Sequence, residues 1–123
     1  MAYAHKATVL IVDDDAEVRQ VTRQILSNDG YLSIEASGAC EAIDLLSRHE
    51  VDVLLTDIRM PGLSGFGLAR EAKRLKPDLS VIFTTGFIPQ SQWDEQRNGA
   101  VLRKPYRGQQ LLAEVTKAVS GGG

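Results

Sequence analysis

Three short apolar runs constrain this chain more than any other feature: residues 8–12 (TVLIV), 51–56 (VDVLLT) and 80–84 (SVIFT). They are rich in β-branched residues and nearly continuous rather than alternating. Strands buried on both faces read this way, as in a parallel sheet covered by helices. Helical stripes lie between them. Val18, Val21, Ile25 and Leu26 form one, with Asp15 as N-cap and Asn28-Asp29-Gly30 as the stop. A weaker strand is expected near 31–36. Ala39, Ala42, Ile43 and Leu46 form the next stripe, with Ser37 as its cap, and Leu68, Ala72 and Leu75 a third that ends before Lys76-Pro77. The segment 89–97 is polar and gives only a weak helix. Val101 and Leu102 suggest a last strand, and Leu111, Leu112, Val115 and Val119 a closing helix. The pattern is β-α repeated five times. With right-handed crossovers it makes a doubly wound α/β sheet, whose functional groups gather at the carboxyl ends of the strands.

The polar residues fall at those ends. Asp13-Asp14-Asp15 closes the first run, Asp57 the second and Thr84-Thr85-Gly86 the third, while Lys104-Pro105 follows the last strand. Carboxylates brought together repel one another unless a cation sits among them. Asp13, Asp14 and Asp57 therefore point to a hard divalent ion such as Mg²⁺, which takes oxygen ligands and retains waters. No suitably spaced histidine or cysteine set favours zinc or copper. The aspartates could instead cap the first helix, but one cap needs one carboxylate, and Asp15 serves. After Asp57 comes Ile58-Arg59-Met60-Pro61-Gly62, a turn able to aim a backbone carbonyl, such as that of Arg59, at the same ion. A carboxylate beside a divalent ion can act as a nucleophile toward phosphorus. A Thr84 or Thr85 hydroxyl could donate to a phosphoryl oxygen on Asp57, and Lys104 could reach it as a point charge.

The remaining sequence mostly excludes. At 123 residues the chain is one domain, expected over 7–119 with flexible termini at 1–6 and 120–123. A net charge of −2 gives no basic surplus for direct nucleic-acid binding. No apolar stretch reaches the ~18 residues that span a bilayer, so no direct membrane contact is expected and the location reads as cytoplasmic. The single cysteine, Cys40, rules out an internal disulfide and reads as a small buried residue. His5 and His49 read as surface residues, without a partner for triad chemistry. Trp93 and Tyr106 fit either core or interface, and the oligomeric state stays open.

Taken together, Val-Leu-Ile-Val-Asp13-Asp14-Asp, Thr-Asp57-Ile-Arg-Met-Pro61-Gly-Leu-Ser-Gly65, Thr84-Thr85-Gly86 and Lys104-Pro105 resemble the receiver domain of two-component response regulators. The resemblance covers roughly 7–119. It implies a flavodoxin-like fold with strand order 2-1-3-4-5. It implies Asp57 as phospho-acceptor, Mg²⁺ (or Mn²⁺ as substitute) bound by Asp14, Asp13, Asp57 and the Arg59 carbonyl, and Thr85 and Lys104 on the phosphoryl group. The implied donor is a phosphohistidine on a sensor histidine kinase or a histidine phosphotransfer domain, with a downstream protein target as a further partner. The chain would be a signalling switch that catalyses only its own phosphorylation and dephosphorylation.

Three positions depart from the family pattern. Val101 stands three residues before Lys104, where an aromatic switch residue is usual. The stretch from Thr85 to Lys104 is short, so the fourth helix is expected to be short or irregular. Arg59 and Phe87 flank the site at positions that often tune dephosphorylation. The Thr-Thr-Gly-Phe and Arg-Lys-Pro-Tyr segments look similar to receivers fused to hybrid sensor kinases, which favours a module of a longer protein over a single-domain regulator. Three other readings compete. An Mg²⁺-dependent phosphatase would need a second acid where Arg59 stands. A flavin binder leaves the acidic cluster unexplained. A degenerate scaffold would not need the full polar set.

Overall fold

The computed structural model describes residues 6–86, 89–94, 97 and 99–120. Five strands, β1 (Thr8–Val12), β2 (Leu32–Ala36), β3 (Val53–Asp57), β4 (Ser80–Thr85) and β5 (Ala100–Arg103), form one parallel sheet in the order β2-β1-β3-β4-β5. This is the expected order. Among the described residues, α1 (Ala16–Asn28), α2 (Ala39–Arg48) and α3 (Gly65–Leu75) connect successive strands, and α4 (Gly108–Ser120) follows β5.

Alternate residues of the buried strands feed two cores. Leu10, Val12, Leu54, Val81 and Phe83 pack beneath α2 and α3, against Ala42, Leu46, Leu68 and Ala72. Val9, Ile11, Val53, Leu55 and Ile82 face α1 and α4, meeting Leu26, Leu111 and Val115. Both faces of β1, β3 and β4 are thus dry, which is why their sequences run apolar without alternation.

The register places the polar strand ends. Val12 pairs with Thr56 across β1 and β3, Asp57 with Thr84 across β3 and β4, and Thr85 with Arg103 across β4 and β5. The next residue on each strand then lies at one edge, with neighbouring strands ~4.8 Å apart. The chain runs from β1 outward to β2, then crosses to β3 on the other side. The reversal falls between β1 and β3, and opens its crevice where Asp13 and Asp57 emerge.

Several local expectations are borne out. Asp15 caps α1, its Oδ1 accepting from the Glu17 amide at 2.9 Å. Gly30 ends that helix at φ +87°, a conformation glycine adopts without strain. Others are corrected. The N-cap of α2 is Gly38, not Ser37; Ser37 instead donates its amide and hydroxyl to Glu41 Oε1 at 2.7 and 3.1 Å. Cys40 is exposed, because it sits about 100° around α2 from the stripe of Ala39, Ala42 and Leu46. In α1, Thr22 is buried and Val21 is 60% exposed. Leu75 and Val119 are exposed at the ends of their helices. Among the described residues, 89–97 contains one 3₁₀ turn, Gln90–Gln92, in place of a fourth regular helix. Its polar sequence offers no stripe at helical spacing to bury. The Lys6 amide donates to the Gly30 carbonyl at 3.2 Å, and Ser120 ends α4. His5, Phe87 and residues 121–123 lie outside the described residues.

Candidate functional site

At the carboxyl edge of the sheet the structure brings together Asp13, Asp14, Asp57, Thr85 and Lys104. Asp13 and Asp57 are 3% and 7% exposed, and Asp14 is open to solvent. One carboxylate oxygen of each acid lies within 4.8 Å of the others. Lys104 Nζ reaches between two of them, 2.7 Å from Asp13 Oδ2 and 3.2 Å from Asp57 Oδ2. Three carboxylates against one ammonium leave a negative excess. The donor set is hard oxygen, so the residues fit a divalent cation such as Mg²⁺ or Mn²⁺.

Backbone contacts hold this arrangement. The Asp13 amide donates to the Ala36 carbonyl at 3.2 Å, and Asp13 Oδ1 accepts from the Asp15 amide at 2.9 Å. The Ile58 amide donates to the Thr84 carbonyl at 2.9 Å, tying the end of β3 to β4. The Lys104 amide donates to the Thr85 carbonyl at 2.7 Å, so β4 carries both the threonine and the anchor of the lysine. The Lys104–Pro105 peptide is cis. The Arg59 backbone amide favours the charged form of the Asp57 carboxyl, while the Arg59 side chain is exposed.

Burial pushes the Asp57 carboxyl above its ordinary 3.8, and the Asp13 charge adds to this; Lys104 opposes both and is outweighed. Burial pulls Lys104 down, but its hydrogen bonds and charge pairing with Asp13 and Asp57 carry it above 10.5. A carboxyl raised on folding contributes stability below its unfolded value, and that contribution is lost as pH rises through the folded one. Asp57→Asn should therefore raise the melting temperature of metal-free protein at pH 7, by roughly 3–5 °C per kcal/mol recovered, with the gain shrinking toward pH 4. Thermal melts of both proteins across that range check it; a variant melting lower at pH 7 would contradict it.

Thr85 is fully buried, and its Oγ1 has no hydrogen-bond partner among the described residues. An orphaned buried hydroxyl one residue past Thr84, the register partner of Asp57, is a donor without an assignment. Val101, in the usual aromatic position, is half-buried. Trp93 packs on the same core, flanked by the guanidiniums of Arg97 and Arg103, 5.2 and 5.0 Å from its ring centroid. Tyr106 is half-buried, its hydroxyl 2.8 Å from that of Thr22 on α1. His49 is exposed at the end of α2.

Sequence reasoning assigned no role to two supports, although Gly65 ends the motif that begins at Asp57. Gly65 opens α3 against the Asp57 backbone. A Cβ there would overlap the Asp57 carbonyl oxygen and lie 2.9 Å from both the Asp57 carbonyl carbon and Ile58 Cα. Its place eight residues after Asp57, just past the Ser64 cap, was the available signal. The other is Arg19, whose Nη1 donates to the Asp13 carbonyl at 2.7 Å. In sequence it looks like any solvated helix cation.

Comparison with known proteins gives one result. The family profile described as "Response regulator receiver domain" matches residues 9–116. The chain is 34% identical over 114 residues to the "Response regulator receiver protein CpdR" of Brucella abortus (strain 2308), covering 89% of this chain and 93% of that protein. It is 36% identical over 83 residues to the "Sensor kinase CckA" of the same organism, covering 66% of this chain but 9% of that protein. It likewise spans 25% of several longer transcriptional regulators. A crystal structure of a response regulator receiver domain protein from Clostridium thermocellum superposes with a TM-score of 0.87 at 29% identity, covering 94% of this chain and 95% of that one.

Proposed function

Because this chain belongs to the response regulator receiver domain family of two-component signalling, we propose that it accepts a phosphoryl group on Asp57 from a phosphohistidine, in a step that requires Mg²⁺. One observation carries this. The Asp57 carboxylate lies at the strand-order reversal, bonded to Lys104 and with an oxygen within 4.8 Å of one on Asp13 and one on Asp14.

The chain's own residues suit the reaction. An Asp57 Oδ attacks phosphorus in line with the leaving imidazole. The O–P bond forms as the P–N bond breaks, and the electron pair returns to the imidazole nitrogen. Mg²⁺ held by Asp13, Asp14, Asp57 and the Arg59 carbonyl would offset the repulsion between the carboxylate and the phosphoryl oxygens. Lys104 exchanges its bond to Asp57 for one to a phosphoryl oxygen and keeps its anchor on Asp13. The Thr85 hydroxyl, orphaned in this structure, turns outward to donate to another.

The donor's approach has support as well. Val18 and the exposed Val21 on α1, with Pro105 and Tyr106, line a groove of about 520 Å³ that also touches Lys104. An apolar ledge at the mouth of an acidic pocket fits a helix that carries a phosphohistidine. A sensor histidine kinase or histidine phosphotransfer domain would present one. Movement of Thr85 would bias the β4–β5 connection and the face beside α4, where a downstream protein target reads it. No described helix is long and apolar enough to cross a membrane, and we place the exchange in the cytoplasm.

Phosphoramidate, whose P–N bond mimics that of phosphohistidine, tests the reading. Incubation with Mg²⁺ should yield one acid-labile, hydroxylamine-sensitive phosphoryl group per chain. Steady release of phosphate from small phosphomonoesters, without such an adduct, would favour a phosphatase instead.

A further inference from the structure

We propose that Arg19 and Glu35 form a clamp that positions the acidic site: Arg19 grips the Asp13 carbonyl and thereby aims the Asp14 carboxylate at the divalent cation. The inference rests on the reading of the site as a cation-dependent phospho-acceptor.

The geometry begins with Asp13, whose polar groups are all engaged. Its amide bonds to Ala36 on β2, its Oδ1 to the Asp15 amide and its Oδ2 to Lys104. The fourth group, the backbone carbonyl, accepts Arg19 Nη1 at 2.7 Å. That carbonyl shares one rigid peptide plane with the Asp14 amide. Holding the oxygen fixes the plane, and with it the Asp14 nitrogen and Cα from which its side chain departs.

Asp14 depends on this support more than its neighbours do. Among the described residues no hydrogen bond or ion pair holds its carboxylate, and it is exposed. Asp13 and Asp57 have Lys104; Asp14 has only its backbone.

Arg19 is itself held. Its Nε donates to Glu35 Oε1 at 3.1 Å, while Arg23 Nη1 occupies the other oxygen at 3.2 Å. Glu35 sits on β2 opposite Ile11 of β1, two residues before Asp13. The Arg19 side chain is 18% exposed and that of Glu35 26%. The guanidinium is a planar fork. It grips Glu35 with one nitrogen and the Asp13 carbonyl with another, which a lysine ammonium on a flexible stem cannot reproduce with the same rigidity.

Charge alone predicts the opposite outcome, which makes the clamp testable. As a bare cation near the carboxylates, Arg19 would repel Mg²⁺, and its removal would tighten binding. As a positioning residue, its removal lets the Asp13–Asp14 peptide turn and weakens binding.

Mg²⁺ titrations by calorimetry on wild type, Arg19→Gln, Arg19→Lys, Glu35→Gln and the Arg19→Gln/Glu35→Gln double variant decide between them, alongside thermal melts. Arg19→Gln and Glu35→Gln should each weaken Mg²⁺ binding about tenfold, as loss of an outer support of a metal site does. The double variant should be no worse than either single, since the two act as one unit. Arg19→Lys should recover part of the loss. Should Arg19→Gln fail to fold, Arg19→Lys and Glu35→Gln carry the test, and wild-type affinity in both overturns the clamp. Arg19→Gln binding Mg²⁺ as tightly as wild type, or more tightly, also overturns it and leaves the phospho-acceptor reading intact. Wild type failing to bind Mg²⁺ overturns both.

Discussion

Gly65→Ala should abolish the site while changing no polar atom in it. The first residue of α3 lies on the backbone that leaves β3, its amide donating to the Ile58 carbonyl at 2.8 Å. An alanine Cβ would overlap the Asp57 carbonyl oxygen and press on Ile58 Cα at 2.9 Å. Neither obstacle is the tip of a flexible side chain, so relief requires moving α3 or the Asp57–Ile58 peptide. α3 is anchored by Phe66, Leu68 and Ala72 in the core, and β3 is buried between β1 and β4. Overpacking of this kind costs about 1–3 kcal/mol and can cost more against backbone. Displacing Asp57 by 1 Å would itself slow phosphoryl uptake by roughly 10²-fold. We expect a melting temperature several degrees lower and near-complete loss of the phosphoryl adduct. Circular dichroism melts and intact mass after reaction with acetyl phosphate measure the two. An alanine variant that melts and reacts like wild type would show that the close approach does not matter.

Lys104→Met should produce the second large effect, and Mg²⁺ should reverse much of it. The ammonium bridges two carboxylates whose side chains are only 4% and 10% exposed. Removing one member of a buried charge network strands the others, at about 3–5 kcal/mol for a fully buried pair. Lys104 is itself 22% exposed, so solvent screens part of this and about 2–3 kcal/mol is the reasonable expectation. A divalent cation would then be the only charge balance for Asp13, Asp14 and Asp57. Mg²⁺ at a hundred times its dissociation constant contributes about 2.7 kcal/mol to any protein that binds it only when folded. Melts with and without Mg²⁺ should show a larger metal-dependent rise for Lys104→Met than for wild type, while phosphoryl uptake stays impaired because no ammonium meets the transferred oxygens. Equal metal-dependent rises would mean that Lys104 and the cation do not share the same carboxylates.

Why some of this was legible in sequence, and some not, follows from the range of the interactions. Asp13, Asp57, Thr85 and Lys104 could be placed together because each ends an apolar run, and parallel strands deliver their ends to one edge. Gly30 and Asp15 were readable because turn and cap preferences are local. The exposure of Cys40 and Val21 was misjudged because an apolar residue one position off a helical stripe looks the same in sequence as one on it. Val21 has a different use, as part of the ledge beside Lys104. Ser37 looked like a cap, but the chain is still extended at Gly38. The clamp of Arg19 and Glu35 spans 16 residues, and nothing in either neighbourhood marks it. The segment 89–97 lacked a helical stripe in sequence, and only a single 3₁₀ turn forms there among the described residues.

The most direct measurement is intact mass after brief reaction with Mg²⁺ and acetyl phosphate, on wild type and Asp57→Asn, each repeated with chelator. One added phosphoryl group on wild type, absent from Asp57→Asn and absent without metal, is the expected result. An adduct that persists in Asp57→Asn, or a wild type that takes up none while still folded, would contradict phosphoryl acceptance at Asp57.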